Sequence, residues 1–161
     1  MAYSLEDQYS LDLNWYFSDA YNRLCIAASA GSILPKVIAD SDQKNDQFHA
    51  IVNELPERYE YKRNENIISI IQDVSQDNIN SYFQDFESLA RKGLHVFDKF
   101  NIAEPEDPFY ILVASPIYDP RIDPYPIAKE MLSLIPKTKV TIHKQSIRPV
   151  DLNDYLRKLK P

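Results

Sequence analysis

Residues 108–115 read PFYILVAS, and every position from Phe109 to Ala114 is apolar. A strand sends successive side chains to opposite faces, so an unbroken apolar run of this length asks for cover on both sides. The fold must therefore place packing layers above and below a sheet and give this strand a central position in it.

Upstream, Leu11, Leu13, Trp15 and Phe17 alternate with Asp12, Asn14, Tyr16 and Ser18, the pattern of a half-buried strand. SDAYN supplies turn residues and RLCIAASA reads as a second strand, which predicts an antiparallel hairpin over 11–30. Ala27, Ala28 and Ala30 carry little bulk and allow a neighbouring element to approach closely. Phe48, Ile51, Val52 and Leu55 lie at i, i+3, i+4 and i+7. That spacing predicts a helix starting near Ser41 or Asp42 and stopping at Pro56, which has no amide proton to continue it. Ile67, Ile70, Ile71 and Val74 repeat the spacing, although the isoleucines of 65–74 also suit a strand. Ile79, Tyr82, Phe83, Phe86, Leu89 and Ala90 form the longest stripe, a helix with Asp77 placed to cap it and Gly93 to close it in a left-handed conformation.

LHVFDKF is expected as a strand before the central run. After it, Pro116, Pro120, Pro124 and Pro126 make 115–126 a proline-rich loop. Ile127, Met131, Leu134 and Ile135 supply a helix face ended by Pro136, TKVTIHK reads as a strand, and a last helix begins near Asp151. Residues 1–10 are a candidate for disorder. The order of elements predicts one α+β domain over 1–161, with a mixed, mainly antiparallel sheet packed with helices.

Several chemistries are excluded by what is missing. The only glycines, Gly31 and Gly93, are 62 positions apart, whereas phosphate-cradling loops need several close together. Ser29 in AASAG has Ala27 where a nucleophile elbow needs its first glycine, so the segment reads as a packed strand end turning at Gly31. Cys25, the single cysteine, lies among apolar residues, where burial raises a thiol's pKa and makes it inert. One cysteine forms no internal disulfide, in agreement with a reducing compartment. His49, His95 and His143 have no second ligand at metal-site spacing, and DSDQKND and EPED do not follow the twelve-residue calcium loop. No catalytic residue, cofactor or metal is expected on these grounds.

Charge is more informative. The formal net charge is −6, and residues 1–80 hold 13 acids against 6 bases while residues 81–161 hold 11 against 12. An acidic half repels phosphate backbones and attracts basic partners, so direct nucleic-acid binding is not expected. MAYSLEDQYS lacks a secretory pattern, and no stretch approaches the roughly 18 apolar residues of a membrane span, which predicts a cytoplasmic chain without membrane contact. Asp42, Asp46, Glu54 and Glu57 are the acids placed to meet a basic protein partner. Tyr118, Arg121 and Tyr125 lie in the proline-rich loop, and Tyr and Arg on a stiffened loop suit an interface hot spot. The alternative is that these tyrosines cover the core edge and Arg121 pairs locally.

The segment NWYFSDAYNRLCIAASAGSILP, residues 14–35, resembles the opening of small, largely uncharacterised bacterial proteins similar to immunity proteins of polymorphic toxin systems. The resemblance lies in the aromatic cluster after a short acidic strand, the Asp turn, the small-residue strand ending in SAG and the following LP. It implies a protein that binds and blocks a cognate toxin domain without catalytic residues or a cofactor, and it carries over no binding residue. The expected function is thus a non-catalytic binding module, an immunity-type inhibitor of a basic partner such as a toxin nuclease domain. Two alternatives stay open: an enzyme using a dispersed site of Cys25, His95 and nearby acids, and an accessory subunit of an oligomer.

Overall fold

The computed structural model describes residues 2–70, 75–118, 125–138 and 150–151. Helix α1 (Leu5–Ser10) leads into strands β1 (Asn14–Ser18) and β2 (Leu24–Ala28), then helices α2 (Lys36–Ala39) and α3 (Asp42–Asn53). Strand β3 (Tyr61–Arg63), the short helix α4 (Ile67–Ile70), helix α5 (Ile79–Arg91) and strands β4 (His95–Lys99) and β5 (Phe109–Pro116) follow. A 3-10 helix covers Lys129–Leu134, and strand β6 is Val150–Asp151.

The sheet runs in the order β1-β2-β4-β5-β3, with β6 also paired to β5. Only the β2–β4 pair among these is parallel, so the fold is α+β with a mostly antiparallel mixed sheet. β5 takes an interior, doubly covered place, next to the margin rather than at the centre, which β4 holds: Tyr110 and Leu112 enter one core layer, and Ile111, Val113 and Ala114 the other. The pairing of Val96 with Ala114 and Phe97 with Leu112 leaves Val113 as the extra residue of a bulge.

β1 is covered on both faces rather than half-buried. Trp15 and Phe17 pack with Leu34 and Ile38 below the sheet, and Tyr16 packs with Phe48 and Val52 of α3 above it. The strand begins at Asn14, and Leu11 is left 47% exposed. Its outer edge is closed at Ser18, whose N–H donates to the Pro136 carbonyl at 2.9 Å and whose carbonyl accepts from the Thr138 N–H at 2.8 Å. Both faces of this marginal strand are apolar because α3 packs on one and α2 with the segment before it packs on the other.

Other expectations are corrected too. Residues 5–10, set aside as a candidate for disorder, form α1, with Ser4 and Asp7 in a reciprocal capping box. The arm is tied down by the Tyr3 N–H on the Ala39 carbonyl and by Gln8, whose Oε1 accepts from the Leu34 N–H at 2.9 Å. Asp77 lies in a 3-10 turn, and Asn78 is the N-cap of α5. Of the helix expected from Ile127 to Ile135, Lys129–Leu134 is a 3-10 helix instead of an α-helix, lying between Pro126 and Pro136, with Met131 40% exposed. Tyr61–Arg63 is a strand that the charged YEYKRN hid, and Asp151 ends a strand where a helix start was expected. β5 runs on to Pro116, so the loop begins after it, and residues 119–124, most of TKVTIHK and the last helix lie outside the described residues. The 65–74 ambiguity resolves as a turn at 65–66 and helix for Ile67–Ile70, residues 71–74 lying outside the described residues.

Gly93 does close α5. Its N–H donates to the Ala90 carbonyl and the Leu94 N–H to the Leu89 carbonyl, the paired bonds of a Schellman motif, with φ of +99° at the glycine.

Beneath α5, Asp98 accepts from the Tyr82 hydroxyl at 2.7 Å and from the Lys99 N–H at 2.8 Å. Burial outweighs these bonds and pushes its carboxyl from 3.8 up to about 6. The folded chain therefore holds this proton where the unfolded chain releases it. That contribution is complete below about pH 4 and is lost as pH rises through about 6. Asp98→Asn should flatten this slope and, at pH 8, raise stability by about 2 kcal/mol. Urea denaturation at pH 4, 6 and 8 measures it; an unchanged slope, or a less stable variant at pH 8, would contradict the assignment.

Candidate interaction surface

The groove of interest forms where the N-terminal arm, β1 and α3 meet. On α3, Asp42, Asn45, Asp46 and His49 fall at i, i+3, i+4 and i+7, a polar stripe beside the buried Phe48 and Val52. Tyr3 crosses this stripe: its hydroxyl donates to Asp46 Oδ1 at 2.7 Å and accepts from Asn45 Nδ2 at 3.2 Å. Asn45 Nδ2 also reaches the Asn14 carbonyl at 2.9 Å, which ties α3 to β1. His49 Nδ1 meets the hydroxyl of the fully buried Tyr16.

Asp12 enters from the other side, and the ASAGS segment puts it there. Ser29 is fully buried, its Oγ accepting from the Leu13 N–H at 2.8 Å, and the backbone then turns through positive φ at Ala30 and Gly31. The Ala30 N–H donates to Asp12 Oδ1 at 2.8 Å. Small residues are wanted because a Cβ on Gly31 would lie 3.0 Å from the Tyr9 carbonyl. The segment is thus close packing at a strand end that also orients an acid.

The resulting groove, about 290 Å3, is lined by Tyr3, Asp12, Leu13, Asn14, Asn45, Asp46 and His49, with no lysine or arginine among them. Burial and the bond to Asp46 push the Tyr3 phenol up to about 12, and the charges of Asp46 and Asp42 act in the same direction. Both carboxylates therefore bear on one point.

The remaining expected residues do not join them. Glu54 is the C-cap of α3, at the opposite end from Asp42. Glu57 accepts from the Ser88 hydroxyl and pairs with Arg91 at 3.7 Å, within a network that continues from Arg91 to Glu87 and Arg63. Tyr118 and Tyr125 pack edge-on to each other, Tyr118 also against the buried Tyr59, and the Tyr125 hydroxyl bonds the Asn22 carbonyl. Arg58 donates to the Tyr59 hydroxyl and the Tyr125 carbonyl. These tyrosines make a local cluster at the core edge; Arg121 lies outside the described residues.

The alternative nucleophile is also placed. Cys25 and His95 are register partners on the parallel strands β2 and β4. Cys25 is completely buried, and burial holds its thiol well above the ordinary range while Sγ donates to the Arg23 carbonyl. Among the described residues no group of three or more His, Cys, Asp or Glu could hold a metal ion, and no helix is long and apolar enough to cross a membrane.

Tyr3, Asp12, Asn45 and His49 join the groove beyond the residues expected from the sequence. The α3 stripe was legible as a helical spacing of polar residues, but Tyr3 lies 43 positions from its partner Asp46. Compared with known proteins, the chain matches no family model, no curated sequence and no solved structure.

Proposed function

We propose that this chain is a non-catalytic protein-binding module of the immunity type, which blocks a basic partner such as a toxin nuclease domain. The observation that supports this reading is the presence of Asp12 and Asp46 in the lining of the arm–α3 groove, with no cation in that lining and Asp42 one turn away on α3. A nuclease must attract phosphates with a positive cleft, and an acidic surface competes for the same charges and excludes substrate. Steering by such a surface raises the association rate, and salt weakens it.

The test is capture from extracts of the source cells by wild-type protein and by Asp42→Lys/Asp46→Lys. Wild type should retain a protein of basic charge, and the variant should lose binding at least about tenfold while remaining folded, with a cooperative denaturation transition. Equal retention by both proteins, or a partner without basic character, contradicts the proposal.

A further inference from the structure

The hydroxyl of Tyr16 joins a buried phenol to a side chain that changes charge with pH. Tyr16 has no exposed surface, its ring centroid lies 5.1 Å from Phe48 and 5.9 Å from His49, and its hydroxyl meets His49 Nδ1 at 2.5 Å. Among the described residues the hydroxyl has no second hydrogen-bond partner. Burial holds this phenol far above the ordinary tyrosine range, and the nearby Tyr3 phenol acts in the same direction. The group therefore keeps its proton.

An enclosed O–H needs an acceptor, and the one in reach is Nδ1 with its lone pair free, which places the proton of the neutral imidazole on Nε2. The contact then ties α3 to β1 with the phenol satisfied. A second proton on the ring reverses its polarity, because an imidazolium donates from both nitrogens and accepts at neither. The phenol must turn to accept from Nδ1–H, and its own hydrogen is left beside Phe48 and Val52 with no acceptor. The other titratable groups around His49 in the groove are Asp46 on α3, Asp12 before β1 and Tyr3 on the arm. The two carboxylates supply counter-charge to an imidazolium, so the conflict falls on the Tyr16 contact.

We infer that the Tyr16–His49 contact is a pH-sensitive latch on α3, closed over neutral His49 and opened when the ring is protonated. Asn45 Nδ2 on the Asn14 carbonyl and the packing of Phe48 and Val52 still hold the helix, so acid loosens α3 without releasing it. Asp46 lies on the same helix, and one wall of the groove loosens with it. The latch belongs to the fold and does not depend on a partner. Asp98 acts with the opposite sign, its contribution being lost as pH rises, so a local reading on α3 separates the two.

Nuclear magnetic resonance and hydrogen exchange on the full chain test the latch. At about pH 7.5 the ring-nitrogen chemical shifts of His49 should place its proton on Nε2. Between about pH 7.5 and 5, the protection factors of the α3 amides, corrected for intrinsic exchange, should fall at least about fivefold relative to those of α5. His49→Gln gives the phenol a neutral acceptor at every pH, and Tyr16→Phe removes the donor; each should abolish the fall. A proton on Nδ1 at the higher pH, unchanged α3 protection, a fall shared equally by α5, or a fall that persists in either variant overturns the inference.

Discussion

Trp15→Ala is expected to lower unfolding free energy by about 4 kcal/mol, the largest effect of any single change considered. The indole is fully buried, 5.3 Å from the Phe17 ring and 5.6 Å edge-on from Tyr110, in the layer that also holds Phe97, Leu34 and Ile38. Removing it leaves a cavity between two aromatic neighbours that the strand backbone prevents from collapsing. A domain of ordinary stability has about 5–15 kcal/mol to lose, so the variant should unfold at much lower urea. Trp15→Phe keeps most of the apolar volume and should cost roughly half as much. A loss below about 1 kcal/mol for the alanine variant would contradict the described packing.

The second large effect is at Gly93. Two penalties coincide there: φ of +99°, which L side chains rarely adopt, and a crowded exterior. A Cβ would come within 2.6 Å of Pro126 Cγ and 2.9 Å of Tyr59 Cε2. Neither neighbour yields easily, since the proline ring is rigid and Tyr59 is 8% exposed. Gly93→Ala should therefore cost about 3 kcal/mol, combining backbone strain with overpacking. Thermal and urea denaturation measure it, and a neutral substitution would mean that the turn between α5 and β4 is not as tightly filled as described.

Most of what was legible in the sequence follows from local periodicity. The stripe Ile79–Ala90 marks α5, the spacing of Phe48 and Val52 marks α3, and PFYILVAS marks a strand covered on both faces, because each pattern reports directly on which side of an element is covered. Local pattern and structure part where cover comes from distant chain. The alternation in LDLNWYFS suggests one wet face, yet Tyr16 lies under Phe48, with ring centroids 5.1 Å apart. YEYKRN has too few apolar residues to signal a strand, and its edge pairing with β5 leaves Lys62 exposed. The site shows the same limit: the helical spacing of Asp42 and Asp46 is visible, whereas the places of Tyr3 and Asp12 depend on contacts between segments that no local pattern records. Charge alone also cannot separate Asp46, which faces the groove, from Glu57, which is engaged by Arg91.

The decisive measurement is the association rate of wild type and of Asp42→Lys/Asp46→Lys with the retained partner, followed as ionic strength rises from roughly 0.05 to 0.5 M. Steering through the arm–α3 groove predicts that the wild-type rate falls at least about tenfold across this range, while the variant is slow throughout and nearly insensitive to salt. A wild-type rate indifferent to salt, or a variant that associates as fast as wild type, would contradict it.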